Sequence, residues 1–428
     1  MSLSPAVAHD RQPLRFAARF CAFAAAIVAF AVSAMALQAL GVAYEAPGGG
    51  MLQKLHPATY LAGLALVLEA ASRPRPLAYI AGLPQRFPGA ALLVVNLALM
   101  VVYAALFQRT PIAPLIDTFV VGAIMLALYE DFSDRERAAL RLILHVILSV
   151  NACLGLAEYA FHFRLTPFVA GGRPIVDDYR STALLGHPLL NAGTTTLYAA
   201  MLILGADRAI RPPLRLAMTA TQLIALVAFG GRTSLILALV VVFVAALKPF
   251  GEALGGRRFD LGGALAAALV APLVVAAATA AWLGGALAPL LERFAADRGS
   301  AEARLVALDL FNAFSFEDIL LGPNPERLAT LQNTLGIEYG VENSWLGLVF
   351  QYGALMSIFL IAGFTALLAE FWRCAKSGAW ALTGLFLLQV SSSATLSVKS
   401  FAFNQFAILM LAVFDRRAAV APKTGGPP

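Results

Sequence analysis

Apolar residues run along the chain in long unbroken stretches, as at 88–107, 233–247 and 261–285, with no alternation of period two. Such runs suit helices set in lipid; strands of an outer-membrane barrel would alternate lipid-facing and lumen-facing residues. Twelve stretches are long enough to cross about 30 Å of hydrocarbon: residues 16–40, 56–71, 88–107, 112–129, 140–162, 189–206, 214–230, 233–249, 261–285, 344–369, 378–395 and 400–414. The pattern predicts an all-α, polytopic integral membrane protein with about 12 transmembrane helices, forming one transmembrane domain over residues 1–428. Only Gly231 and Arg232 part the stretches 214–230 and 233–249, so a tight turn is expected there. The first stretch ends in Ala34-Met35-Ala36, which could serve as a signal-peptidase site, but its apolar length exceeds the usual signal core of roughly 7–15 residues. It is expected to be a retained helix.

Composition agrees with lipid as the solvent. Hydrophobic residues make up 60% and charged residues 13%, with a mean hydropathy of +0.77, whereas soluble domains are about a quarter charged. The net charge of +6 is scattered in twos and threes between apolar runs, which speaks against nucleic acid as a partner and for a topology signal. With a cytoplasmic N-terminus, 20 of the 31 basic residues fall on that side, including Arg11, Arg15, Arg19, Arg73, Arg137, Arg141, Arg373 and Arg416. The short loops opposite carry one each: Lys54, Arg109, Arg232 and Lys399. This is the positive-inside asymmetry, and it puts both termini in the cytoplasm. The remaining seven lie in two long outer loops, 163–188 and 286–343, which are exempt from the charge rule. In the longer one, Leu287, Leu290, Leu291 and Phe294, and then Val306, Leu310, Ala313 and Phe314, recur at helical spacing. Two short amphipathic helices forming a cap on the membrane are expected. No internal repeat is evident, which counts against transporters built from inverted repeats. Cys21, Cys153 and Cys374 have no paired spacing and are expected to be small core residues.

The candidate chemistry falls on the outer side. Arg180, Arg232, Arg304 and Glu342 all lie there by an argument that took no account of them individually. A guanidinium near lipid needs a partner or a polar cavity, and its planar fork fits phosphate. Each arginine also has a plainer role open to it, as a snorkelling or loop charge. Glu342 precedes a membrane helix, where a carboxylate can cap backbone amides or take a proton from a hydroxyl. His187 beside Pro188 fits a helix-start residue better than a base. Asp117 and Glu158 could orient an arginine or a sugar hydroxyl, although an interhelical hydrogen bond is the stronger expectation; Glu69 is expected to reach the inner interface. No nucleotide loop, metal-binding histidine pair, Gly-rich dinucleotide turn or Ser-His-Asp arrangement is present. No cofactor and no metal are therefore expected, and any reaction would draw on an energy-rich substrate already in the membrane.

These residues resemble the O-antigen ligase and polymerase superfamily of bacterial inner-membrane enzymes, with the motifs confined to about residues 175–356. Arg180, Gly186, Pro188 and Asn191 are similar to the family's arginine, Gly and Pro/Asn helix start, though Pro and Asn are not adjacent here. Gly231-Arg232-Thr233-Ser234 is similar to its small-residue and arginine turn, and Arg304 with Leu320-Leu321-Gly322 to the opening and later part of its long loop. The ligase branch closes that loop with His-Asn, nine residues and Gly; Asn343 and Gly353 keep this spacing, but Glu342 occupies the histidine position. That departure points away from a lipid A ligase and toward the polymerase branch.

The resemblance implies a metal-independent, inverting glycosyltransferase of the inner membrane with its active site facing the periplasm. Its substrates would be polyprenyl-diphosphate-linked oligosaccharide repeat units of O-antigen or exopolysaccharide, with membrane lipid around it and a chain-length regulator and flippase as protein partners. Arg180, Arg232 and Glu342 would be catalytic. Arg304, Asn343, His187 and Asp117 would bind diphosphate or sugar. A ligase transferring polymer to lipid A, and a transporter or flippase of the same lipid-linked sugars, are the alternatives.

Overall fold

The computed structural model describes residues 11–46, 48–170, 173–175, 179–207, 209–254, 300–337 and 340–416, without the side chains of 170, 173–174, 248–250, 253–254 and 300–305. The helices are α1 Gln12–Ala31, α2 Ala34–Ala39, α3 Pro57–Ala71, α4 Pro76–Arg86, α5 Pro88–Tyr103, α6 Ala113–Glu130, α7 Asp134–Phe161, α8 Pro188–Ile203, α9 Pro212–Phe229, α10 Arg232–Leu254, α11 Ser300–Ala313, α12 Phe316–Leu321, α13 Pro325–Thr334, α14 Ser344–Cys374, α15 Ala379–Ser391 and α16 Ala402–Ala412. A π-helical turn, Ala104–Gln108, extends α5, and a two-residue hairpin pairs Val169–Ala170 with Arg173–Pro174. Among the described residues six helices are long and apolar enough to cross a membrane: α1, α5 with its π-turn, α6, α7, α9 and α14. Four more, α3, the first part of α10, α15 and α16, are apolar but shorter. The expected span at 261–285 and the amphipathic stretch at 287–294 lie outside the described residues.

Several expectations are corrected. The first stretch is not one helix over 16–40: the chain turns extended at Val32, and Ser33 restarts it by accepting the Ala36 N–H at 3.0 Å. The His56 ring takes up the Val32 carbonyl at 3.0 Å, so the break is built in. Helix α4 occupies a segment expected to be loop. Cys153 is exposed, not a core residue.

Small residues set the packing. Ala22, Ala25, Ala26 and Ala29 of α1 are buried where α1 meets α3, which contributes Ala58, Ala62 and Ala65. Helix α14 crosses α5 at Gly363, where a Cβ would come within 2.7 Å of the Leu93 Cα. Backbones approach this closely where lipid gives no hydrophobic drive and packing must supply the attraction. Helix α16 is buried almost throughout, with Phe403 packed edge-on to Phe364 and tilted against Phe119 and Phe386. It is the central post of the bundle.

The helices alternate between two ends. At one, Arg19 donates to Leu128 O (3.2 Å) and Asp131 O (2.6 Å), and Arg73 bridges Glu69 (2.5 Å) and Asp131 (2.7 Å). Arg141 donates to Ala412 O at 3.0 Å and pairs with Asp207 at 3.6 Å. Glu69 is fully buried in this network, at the same end of the bundle as the partly exposed Arg73 and Asp131. Carbonyls left over at helix C-termini explain why so many guanidinium groups are held here.

Candidate functional site

The far end holds most of the predicted site residues. Helix α7 ends there at Glu158, which is fully buried and accepts the backbone N–H groups of Leu165 (2.7 Å), Thr182 (2.8 Å) and Ala183 (2.9 Å). Asn151 adds an acceptor for Leu184 N–H at 3.0 Å and donates to Asn191 at 2.9 Å. Arg164 donates to the carbonyls of Arg180 (3.1 Å) and Ile175 (2.7 Å). A loop whose amides and carbonyls are tied this densely holds its side chains in place, and the side chain held is Arg180. Its guanidinium lies over the buried Phe168 ring, 5.2 Å from the centroid. His187 meets the same ring edge-on at 5.3 Å.

His187 is the N-cap of α8, its Nδ1 accepting the Leu189 N–H at 3.2 Å. Burial, and next the Arg180 guanidinium, push its imidazole down to about 4. It is therefore neutral at neutral pH and serves as a hydrogen-bond acceptor, in line with its expected place at a helix start.

Arg232 opens α10 through the tight turn that the sequence demands. Gly230 closes α9 in the left-handed region at φ 66, and Gly231 sits where a Cβ would come within 2.6 Å of the Ala192 Cβ in α8. Thr196 of α8 donates to Ser234 O at 3.0 Å and fixes the start of α10. A cation in the first turn stands against the helix dipole, which favours an anion there. The Arg180 loop reaches the same place: Ser181 donates its N–H to Ala228 O at 3.0 Å and its hydroxyl to Gly155 O at 2.6 Å. The structure thus joins the segments bearing Arg180, His187 and Arg232.

Glu342 lies one turn-residue ahead of α14. The N-cap itself is Asn343, whose side-chain oxygen accepts from Trp345 N (3.0 Å) and Leu346 N (3.1 Å). Capping therefore falls to Asn343, not Glu342, and the oxygen of Asn343 is engaged by its own helix. The α14 start is tied to α15 by Trp345 Nε1 donating to Ser391 at 2.7 Å, and α15 to α8 by Gln389 donating to Gly193 O at 3.3 Å. Glu342 and the two arginines share one end of the bundle, with α15 and α8 between them.

Asp117 stands apart from this group. Fully buried near the start of α6, it accepts from Thr59 Oγ1 (2.7 Å), Tyr44 OH (2.9 Å) and His56 N (3.0 Å), with the Lys399 ammonium 3.9 Å away. It is a clasp between helices and the 40–56 segment, and among the described residues it contacts no arginine. Lys399 also lies 3.3 Å from the Tyr44 ring centroid, and burial pushes its ammonium down to about 8 against the pull of Asp117. Arg304 falls in α11, but its side chain is outside those described.

The helix expected from Val306, Leu310, Ala313 and Phe314 is α11, whose Ala307 and Leu310, with Phe314, Leu328, Ile337, Val341 and Phe350, form a small separate core. Helices α12 and α13 were not anticipated. Their signals are Ser315-x-x-Asp318, a capping box, and Asn324-Pro325, an N-cap followed by proline at the first turn. Among the described residues no three His, Cys, Asp or Glu side chains converge as a metal site would require. No family model, curated protein or solved structure matches this chain.

Proposed function

We propose that this protein is a polytopic glycosyltransferase of the bacterial inner membrane that polymerises polyprenyl-diphosphate-linked oligosaccharides on the periplasmic side. In this reading it has about twelve spans, cytoplasmic termini, and a periplasmic cap built on the 286–343 segment. The observation that carries it is the docking of the Arg180 loop, through Ser181, onto the end of α9 just before Arg232. Two arginine-bearing segments that meet at the turn into one helix N-terminus suit a dianionic leaving group.

The acceptor hydroxyl oxygen attacks the anomeric carbon of the donor from the face opposite the diphosphate. The new C–O bond forms as the C–O bond to diphosphate breaks, the electron pair leaves with the diphosphate, and configuration inverts. Arg180 and Arg232 stabilise the charge that grows on the departing oxygen. Glu342 accepts the hydroxyl proton, while the capping oxygen of the helix is that of Asn343. The cap excludes water that would hydrolyse the donor.

The test is mass spectrometry of lipid-linked and surface glycans from cells lacking the protein, complemented with wild type or Arg232→Ala at equal membrane levels. Single repeats on polyprenyl diphosphate accumulating outside, with loss of long polymer, is the expected result. Long polymer retained on its lipid carrier would make the protein a ligase, and single repeats stranded on the cytoplasmic leaflet would make it a flippase; either overturns the proposal.

A further inference from the structure

Beside Glu342 lies a cavity of about 210 Å³, bounded by α13, the first turns of α14 and the 394–398 segment. Its polar lining consists of Gln332, Gln351 and Ser397, and its apolar walls are Leu328, Val341 and Phe350. Among the described residues no Lys, Arg, Asp or Glu lines it. We propose that this cavity is a subsite for one neutral sugar ring of the acceptor, bound through its hydroxyls to the two glutamine carboxamides.

The chemistry of the lining selects the ligand class. An ionised group taken into the cavity would lose its water without meeting a counter-charge, so phosphate, carboxylate and ammonium are disfavoured. A carboxamide presents both an acceptor oxygen and two N–H donors, which matches hydroxyl pairs on adjacent ring carbons. Among the described residues neither the Gln332 nor the Gln351 carboxamide has a hydrogen-bond partner, although both are half-buried. Neither amide is shut off from solvent, so a sugar hydroxyl can take the place of water on each. Ser397 donates to Ala394 O at 2.9 Å and keeps its lone pairs to accept a further hydroxyl. An apolar wall beside these groups suits the C–H face of a pyranose.

Position agrees with chemistry. Val341, which lines the cavity, immediately precedes Glu342 in the chain, and Phe350 and Leu328 belong to the small core of the cap. The ring seated here would be held by the cap on one side and by α14 on the other, next to the residue assigned to deprotonate the acceptor. In taking the sugar to be part of the acceptor, the inference rests on the proposed glycosyl transfer.

The experiment is ligand-observed NMR on the purified full-length chain in detergent, with methyl glucoside, methyl galactoside, N-acetylglucosamine and glucuronate as probes. At least one neutral sugar is expected to bind the wild type and Arg232→Ala alike. Its affinity should fall at least tenfold in Gln351→Ala, and glucuronate should bind no better than to the variant. Gln332→Ala, on the half-exposed α13, is a second variant should Gln351→Ala not elute as a folded particle, and the same loss is expected. Absence of binding by every neutral sugar, or equal binding by wild type and both glutamine variants, would overturn the subsite. Glycan analysis reads the transfer reaction separately: sugar binding without any polymer defect would sink the transfer and leave the subsite, and the reverse would sink the subsite alone.

Discussion

Gly353, inside α14, and Gly322, at the end of α12, meet backbone to backbone: a Cβ on Gly353 would lie 2.5 Å from the Gly322 nitrogen, and one on Gly322 would lie 3.0 Å from the Gly353 nitrogen. Both glycines have positive φ, 82 and 92, and Gly353 is where α14 departs from helical geometry. Gln108 at the end of α5 closes the junction by donating to Leu321 O (2.9 Å) and Gly322 O (3.0 Å). Helix α12 is therefore pinned to α14 and the end of α5 at a point where no side chain fits.

Gly353→Ala should cost more than the roughly 1–3 kcal/mol of backbone strain alone, because the added methyl also forces the cap off α14. The matched control is Gly336→Ala, which has φ 71 but nothing within 4 Å of its Cβ. Thermal melting in detergent should show a large drop for the first and a small one for the second; equal drops would refute the junction.

Arg232→Ala should lower polymer formation by roughly 10²–10³-fold at unchanged protein level, the loss typical of one removed charge-stabilising group. Arg232→Lys should recover little, since an ammonium lacks the planar fork. Full activity of either at matched expression would remove Arg232 from the site.

Asn343 and Glu342 separate cleanly. Asn343→Ala removes a cap and should lower stability by about 1 kcal/mol, whereas Glu342→Gln should leave the melting temperature alone and cut turnover by roughly 10²–10⁴-fold with donor binding retained. A stability loss in Glu342→Gln with normal turnover would reverse the two roles.

Much of this was legible in the chain. The helix positions followed from unbroken apolar runs, and the tight turn at Gly231-Arg232 from the two residues available for it. The arginines expected on one side, Arg19, Arg73, Arg137 and Arg141, do gather at one end. Periodicity did not reveal the break at Ser33, because Val32 and Ser33 are as apolar or as small as their neighbours and the break is fixed by His56 and Gly186 from elsewhere. Nor did it reveal that Leu320-Leu321-Gly322 and Gly353, two separate motif fragments, are one contact. Asp117, an acid inside an apolar run, left both a site role and the preferred interhelical hydrogen bond open, and the partners it has in the structure are Thr59, Tyr44, His56 and Lys399.

Acid should weaken the Arg180 site through His187. Its folded-state value of about 4 lies below the usual 6.5, so the unfolded chain binds the proton first as pH falls. Stability is lost from pH 6.5 down to about 4 and levels off below that. His187→Asn, which keeps a capping oxygen but does not titrate in this range, should flatten the dependence of melting temperature on pH between those values. An unchanged slope would mean that other groups carry it.

Glu158 is the residue on which the Arg180 loop depends, and its removal should be the most damaging change that touches no substrate. In Glu158→Ala the buried N–H groups of Thr182 and Ala183, and the part-buried one of Leu165, lose their acceptor. Each orphaned buried donor costs roughly 1–3 kcal/mol. Glu158→Gln keeps one oxygen but turns N–H groups toward donors, so it should recover only part of the loss. The readout that separates positioning from simple instability is hydrogen exchange: protection should vanish across 163–168 and 179–187 in both variants while α5 and α14 stay protected. Uniform loss of protection across the bundle would make Glu158 a general stabiliser instead.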